Sequence, residues 1–202
     1  SGYPEWVCKQ DRDYGHSSVL KFKGFDRPNK IPQFDGGIGQ DLVVAHPFAN
    51  QAVGLGCGFW VKRSVFLDVG GIAEDIRINE DTDFLIKLLK SARKGIRTLN
   101  PGVMVRRHGG RDDTLPHLTH AASASERAGY FNTILIRHAS WIATRPDVAI
   151  FLLRRQIKML ARARDTKAAY QLFGSPLAKP YRLDLILYYA LELFLAAVRR
   201  SK

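Results

Sequence analysis

The chain has 202 residues, with 31 Lys and Arg against 19 Asp and Glu. Its formal net charge of +12 favours an anionic partner: nucleic acid, an acidic membrane surface or a phosphorylated substrate. A hydrophobic fraction of 46% excludes an intrinsically disordered chain and predicts a buried core. The two cysteines, Cys8 and Cys57, lack metal-ligand spacing and exclude a disulfide scaffold, which favours a reducing compartment.

The N-terminal part of the chain reads as loop followed by one strand and one short helix. The first fifty residues show little periodicity. Within them, the prolines and glycines of FKGFDRPNKIPQFDGGIG, residues 22–39, predict an irregular loop with short strands. A strand is predicted near Cys57–Val61. Ser64 then predicts the N-cap of a short helix that stops at Gly70-Gly71.

The stretch RINEDTDFLIKLLK begins the most clearly amphipathic helix of the chain. From Phe84 onward the apolar residues recur with helical spacing, and Gly95 is suited to a C-cap. The lysines between the apolar residues predict a solvated face; they are Lys87, Lys90 and Lys94.

Three carboxylates fall within four residues at the start of this helix. Acidic residues in a first turn favour the helix dipole, so Glu80, Asp81 and Asp83 have a structural interpretation, with Asn79 or Asp81 as the N-cap. The same carboxylates are candidates for catalysis. Asp83 fits the structural role better.

The part of the chain after this helix predicts two short extended segments followed by helices. IRTL and GVMVRR lie on either side of Asn100-Pro101-Gly102, which predicts a turn, and His108 follows the second segment. From Glu126 onward the pattern is helical, with breaks at Pro146 and Gly174 and a final helix after GSPLAKP. The apolar run LDLILYYALELFLAAV is short for a membrane span, which needs about 20 apolar residues.

An ordered set of segments resembles a known family. GCGFWVKRSVFLDVGGI, followed by INEDTDFLIKLLKSARKGIRTLNPGVMVRRHGG, resembles the second half of a glycosyltransferase family 2 catalytic domain. That family has a Gly-rich strand, an Arg-initiated short helix, a Gly-Gly turn, a Glu-Asp-x-Asp helix start and a strand pair ending in His. The match covers roughly residues 54–110.

The resemblance implies an α/β fold with two parts. Residues 1–110 would form the acceptor-side part of a GT-A (nucleotide-diphospho-sugar transferase-like) domain that lacks its N-terminal nucleotide-binding half. Residues 111–202 would form a basic helical extension, since they carry 15 Lys and Arg against 7 Asp and Glu.

The resemblance also implies roles for individual residues. Asp81 matches the general base that takes a proton from the acceptor sugar hydroxyl in an inverting transfer, a chemistry suited to a positioned carboxylate. Glu80 matches a position that helps to hold the acceptor. Gly56, Gly58 and Trp60 lie in the segment that lines the acceptor side of the cleft, although Trp60 also suits a core aromatic.

A divalent cation is part of this expectation. His108 matches a histidine that, in many family members, joins the Asp-x-Asp aspartates around Mg²⁺ or Mn²⁺, which would neutralise charge on the departing diphosphate. Arg106 and Arg107 are predicted to add positive charge near that diphosphate. His117 and His120 match no zinc signature.

The sequence departs from the family pattern at its N-terminal side. No βαβ region with an Asp-x-Asp motif is visible; Asp11-Arg12-Asp13 fits literally but does not follow an apolar strand. We therefore expect the chain, which starts without Met, to be a fragment that begins after that motif and is inactive alone. The family's Gly-Gly-Phe-Asp-Glu also reads Gly-Gly-Ile-Ala-Glu, at residues 70–74.

The implied partners are a nucleotide-sugar donor and a glycan or lipid-linked acceptor, in cell-envelope polysaccharide synthesis. The basic residues within 146–202 predict contact with an anionic membrane surface, and hence a cytoplasmic protein or one peripheral to the inner face of the membrane. Simple packing of these helices is the other interpretation. No nucleic-acid-binding signature appears. The alternative function is a catalytically inactive membrane- or partner-binding module.

Overall fold

The computed structural model describes residues 12–23, 40–41, 58–107 and 122–198, which are mixed α/β and mostly helical. The strands are β1 (Tyr14–Lys23), β2 (Gln40–Asp41), β3 (Phe59–Val61) and β4 (Gly95–Arg107). The helices are α1 (Arg63–Asp68), α2 (Glu80–Lys90), α3 (Ala124–Arg137), α4 (Ala139–Ala143), α5 (Pro146–Ala163), α6 (Thr166–Gly174) and α7 (Arg182–Val198), with a 3₁₀ turn at Lys179–Tyr181.

The chain divides into two compact units. The α/β unit comprises residues 1–73 and 81–115, and the helical unit comprises residues 74–80 and 116–202. The sequence predicts one division, between residues 110 and 111. The structure places the division near residue 115 and assigns the short segment before α2 to the helical unit.

The sheet of the α/β unit is built around β1. The strand order is β2-β4-β1-β3, with β1 parallel to β4 and antiparallel to β3. The weak periodicity of the first fifty residues gives no sign of the ten-residue strand Tyr14–Lys23. The predicted loop at residues 22–39 is wrong for its first two residues, which end this strand, and its other residues lie outside the described ones. The reason is tertiary: an added Cβ on Gly15 would lie 2.5 Å from the Trp60 ring, so this glycine admits a packed neighbour.

The strand β4 is continuous where the sequence predicts two segments around a turn. It pairs with β1 on both sides of Asn100-Pro101-Gly102, and the pairing shifts register between Ser17 and Val19. Because β1 fixes both ends of β4, the turn residues are absorbed as an irregularity within one strand.

The helix caps differ from the predictions at two places. Lys62, not Ser64, precedes α1, and it makes no side-chain cap hydrogen bond. The end of α1 is as predicted, with Gly70 at φ +80° and Gly71 at φ +57°. Gly95 is not the C-cap of α2, because Ala92 takes the left-handed conformation and Gly95 already begins β4.

The core of the α/β unit joins α2 to β1, β3 and α1. Tyr14, Val65, Phe84 and Leu88 form a buried cluster, with Phe59 and other apolar residues packed against it. The Phe84 ring meets Phe59 edge-on at 6.2 Å. Burying a side chain of this kind stabilises the fold by about 1.5–3 kcal/mol, so Phe84 anchors the first turn of α2.

The helical unit has more breaks than the sequence predicts. Ser123 and Glu126 form a capping box that starts α3, which ends at Arg137. The long helix predicted up to Gly174 divides at Arg164, which has φ +56°, and Asp165 then caps α6 through the backbone N–H of Ala168. An aspartate is a strong N-cap, and this favours the division.

The helix α5 is the central element of the helical unit, in contact with both α3 and α7. The side chain of Gln156 donates from Nε2 to the backbone oxygen of Ala128 at 3.0 Å, which fixes α5 against α3. This hydrogen bond therefore fixes the position of the α5 side chains relative to those of α3.

Candidate functional site

The candidate general base lies at the start of α2. Asp81 is partly buried, and its Oδ1 accepts a hydrogen bond from the backbone N–H of Thr82 at 2.7 Å. Oδ2 accepts no hydrogen bond from the described residues. The hydrogen bond to Oδ1 thus orients the carboxylate, and Oδ2 is the oxygen that a substrate hydroxyl would approach.

Asp83, two residues along, has a different environment. It is fully buried, and its Oδ2 lies 3.0 Å from Nζ of Lys87, one helical turn later. Lys87 also donates to the backbone oxygen of Gly71 at 3.0 Å. Because the Lys87 side chain is only 20% exposed, its predicted place on the solvated face is wrong. The hydrogen bond from Lys87 to Gly71 ties α2 to the Gly-Gly turn, and the ion pair holds Lys87 in place.

The segment predicted to line the acceptor cleft lies close to α2 in part. The contact between Phe59 and Phe84 brings β3 within one helical turn of Asp81. Gly58 is buried with φ +81°, a backbone conformation that favours glycine. Gly58, just before β3, and Asp81, in the first turn of α2, therefore belong to two elements that pack against each other.

Trp60 points away from that pair. Side chains alternate along a strand, and Tyr14 and Phe59 share the face that carries the core cluster with α2. Trp60 therefore lies on the opposite face of the sheet, where its ring covers Gly15. The structure does not bring Trp60 and Asp81 to the same face.

Some predicted site residues lie outside the described residues, and others lie at the ends of β4 and α2. Gly56, His108, His117 and His120 lie outside the described residues. Arg106 and Arg107 are the last residues of β4, and their backbone pairs with Phe22 and Lys23 of β1. Glu80 is the first residue of α2 and is partly buried.

The described residues do not by themselves fit a divalent cation. They contain no group of three His, Cys, Asp or Glu side chains placed to hold a metal ion. Asp13, part of the literal Asp-x-Asp, accepts from the backbone N–H of Lys94 at 2.9 Å and lies 3.9 Å from Nζ of Lys62. These contacts give it a structural role.

Two features of the helical unit were not predicted as sites. A pocket of about 280 Å³ is lined by Asn79, Arg127, Arg155, Lys158, Met159 and Arg162, among others. The spacing of the three cations on α5 places them on one helix face, but nothing in the sequence points to Arg127 as their neighbour. The second feature is an exposed apolar face on α7, defined below.

Comparisons with protein-family models, with curated proteins and with solved structures found no match to this chain. The resemblance to glycosyltransferase family 2 therefore rests on the ordered motifs quoted above. Among the described residues, no helix is long and apolar enough to cross a membrane.

Proposed function

We propose that this chain is the acceptor-side part of an inverting glycosyltransferase that uses a nucleotide-diphosphate sugar and a glycan or lipid-linked acceptor. The observation that carries the proposal is the division of roles at the start of α2. Asp83 is buried in an ion pair that holds the helix, while Asp81 keeps one carboxylate oxygen without a hydrogen bond from the described residues. The ion pair accounts for the Asp83 carboxylate, whereas the hydrogen bond from Thr82 accounts for only one of the two oxygens of Asp81.

The proposed reaction is a single displacement at the anomeric carbon. The acceptor hydroxyl oxygen forms a bond to that carbon while its proton passes to Asp81. The bond from the carbon to the diphosphate breaks, and the diphosphate leaves with the electron pair. Attack from the face opposite the leaving group inverts the configuration. A positioned base of this kind contributes typically 10²–10⁴-fold in rate.

The cation implied by the resemblance stays a prediction that rests on His108. Since the described residues hold no three-ligand cluster, we derive no step through a metal. The proton transfer to Asp81 is independent of how the diphosphate is neutralised.

The proposal is tested by assaying the polypeptide as the cell makes it against a panel of nucleotide-diphosphate sugars. We expect acceptor-dependent release of the nucleoside diphosphate, with a product whose anomeric configuration, read by NMR, is inverted relative to the donor. A product with retained configuration would overturn the single displacement, and so would the absence of transfer from every donor tested.

A second candidate function, membrane attachment, is favoured by the exposed face of α7. Six large apolar side chains on this helix are 40–72% exposed, which we call the α7 stripe: Leu183, Ile186, Leu187, Leu191, Phe194 and Val198. The carboxylates of α7 have other partners: Asp184 accepts a hydrogen bond from Arg154, and Glu192 accepts one from the Tyr188 hydroxyl.

The occupant that suits this face is an anionic bilayer surface. Exposed basic residues, Lys179 and Arg182, lie at the N-terminal end of the stripe, and such a pairing of apolar and cationic groups is typical of interfacial helices. Attachment of this kind would serve a lipid-linked acceptor. It would also account for the chain as an inactive binding module.

Sedimentation with vesicles containing phosphatidylglycerol tests the α7 stripe. We expect the double variant Leu187→Ser/Phe194→Ser to lose most of its binding, because it removes two exposed apolar anchors. Tyr170→Ser is a matched control, since Tyr170 is 74% exposed on α6, outside the stripe. Undiminished binding by the double variant would overturn this function. So would a concentration-dependent dimer that the same variant abolishes, because the stripe would then bind a second copy.

A further inference from the structure

The pocket of the helical unit gathers positive charge without acidic residues in its lining. Four cations line it, three from α5 and Arg127 from α3. Among the described residues that line it, none is Asp or Glu. Ordinary surface cations alternate with carboxylates, so a concave site lined by one sign of charge selects an anion.

The geometry of α5 separates two sets of basic residues. Arg155, Lys158 and Arg162 follow the i, i+3, i+7 spacing of one helix face. Arg154 lies on a neighbouring face, where its Nε donates to Asp184 at 3.0 Å and its guanidinium stacks on the Tyr188 ring. The basic stretch is therefore not one uniform cationic surface.

Two of the arginines that line the pocket each donate to an uncharged group. Arg155 donates from Nη2 to Oδ1 of Asn79 at 2.9 Å and lies over the Phe131 ring. Arg127 donates from Nε and Nη2 to the backbone oxygen of Ala122. These contacts orient the planar guanidinium forks, a geometry suited to phosphate.

The charge of Lys158 has a partner in α7. Its Nζ lies 3.4 Å from Oε1 of Glu192, a carboxylate of α7 that is largely buried. Arg162, one turn further along α5, is exposed. The pocket thus combines oriented arginines with one cation at its open side.

Asn79 supplies an independent sign of a missing acceptor. The Arg155 guanidinium can only donate hydrogen bonds, so its partner on Asn79 must be the amide oxygen. This assigns the other terminal atom of the Asn79 side chain as the amide nitrogen. That nitrogen, Nδ2, is buried and donates to no described residue. A buried donor without a partner destabilises the fold, and an anionic oxygen that reached Nδ2 from the pocket would supply the acceptor.

We propose that this pocket binds a phosphate group, as a phosphate ester or diphosphate, between Arg155, Arg162 and the Nδ2 amide of Asn79. The volume is close to the lower end of small-molecule pockets, about 300–1,000 Å³, and suits a diphosphate better than a whole nucleotide sugar. Met159 gives one apolar wall. The site does not depend on sugar transfer, and its chemistry fits a soluble phosphate or the phosphate of a lipid headgroup.

Binding is tested by calorimetric titration of the intact chain with inorganic pyrophosphate near physiological ionic strength, where weak surface attraction is screened. We expect saturable binding at one site and a rise in the unfolding temperature with ligand concentration. Arg162→Gln and Asn79→Asp should each weaken binding about tenfold or more. Asn79→Asp keeps an oxygen for Arg155, removes the donor and adds a negative charge that repels phosphate.

The control variant is Lys167→Gln, which removes the same charge as Arg162→Gln from an exposed position outside the pocket. Equal binding by wild type, both pocket variants and this control would overturn the proposal, because only net charge would then matter. Unfolding temperatures of all the variants without ligand show that loss of binding is not loss of fold.

A second arm separates the two sources of phosphate. Vesicles of phosphatidylcholine with phosphatidic acid are compared with phosphatidylcholine alone. Binding to phosphatidic acid that depends on Arg162 and Asn79, without binding of pyrophosphate, assigns the group to a lipid headgroup. Pyrophosphate binding with the same dependence assigns it to a soluble ligand. Failure of both probes overturns the site, and leaves the proposed base Asp81 untouched.

Discussion

At the scale of single residues, neighbouring carboxylates differ because their partners differ. Asp81 is oriented by one backbone N–H, whereas Asp83 is buried against Lys87. The residue types alone do not distinguish the two. The i, i+4 spacing of Asp83 and Lys87 hints at a pair, but only the packing of α2 shows that this pair is buried.

The Arg154–Asp184 pair predicts a pH dependence of stability. The hydrogen bond from Arg154 lowers the pKa of the Asp184 carboxyl, although burial opposes it. The folded chain then binds fewer protons than the unfolded chain as the carboxyl titrates. The stabilisation is complete above the ordinary pKa of aspartate and is lost as the pH falls through the lowered value.

We expect Asp184→Asn to lower the free energy of unfolding at neutral pH by about 0.2–1 kcal/mol, a small effect because both side chains are more than 40% exposed. The difference from wild type should shrink as the pH falls below the ordinary pKa of aspartate. Urea unfolding at neutral and at acidic pH measures it. A difference that stays constant with pH would contradict the pairing, and Arg154→Gln should not add to the effect of Asp184→Asn.

At the scale of elements, the packing of the sheet depends on glycines that admit aromatic rings. An added Cβ on Gly95 would lie 2.5 Å from the Tyr14 ring. We expect Gly95→Ala to destabilise the chain by about 1–3 kcal/mol, because a fully buried ring must move. Gly129→Ala is the matched control: no atom lies within 4 Å of its added Cβ, and in α3 it should stabilise by about 0.5–1 kcal/mol.

Unfolding temperatures of these two glycine variants measure the effect. If Gly95→Ala were as stable as wild type, the close approach of Tyr14 to β4 would not exist. A lower unfolding temperature for Gly129→Ala than for wild type would mean that the surroundings of Gly129 are crowded.

Elements with a strong local signal were predictable, and elements made by distant partners were not. The amphipathic period gave α2, and Gly70-Gly71 gave the end of α1. The strand β1 was missed because Gly15 and a run of polar residues weaken its pattern, and its support comes from β3 and β4. At the candidate site, the position of Asp81 was predictable. The face of Trp60 was not, since it depends on cross-strand register.

At the scale of the whole molecule, the net charge of +12 predicts an anionic partner without saying where it binds. The helical unit gives that charge a location, since four cations line one pocket. Three of these cations lie on α5, whereas the exposed apolar stripe lies on α7; from the sequence, the basic residues of 146–202 are together predicted to contact a membrane surface. Phosphate binding and membrane attachment are therefore separable by substitution.

The central claim is that Asp81 acts as the base in sugar transfer. The most direct measurement is the rate of transfer by Asp81→Asn in the polypeptide as the cell makes it, beside Asp68→Asn, an exposed carboxylate paired with Arg93. Asparagine keeps an oxygen for the N–H of Thr82, so we expect an unchanged unfolding temperature. Transfer should fall by about 10²–10⁴-fold in Asp81→Asn and stay at the wild-type rate in Asp68→Asn. A wild-type rate in Asp81→Asn would contradict the account.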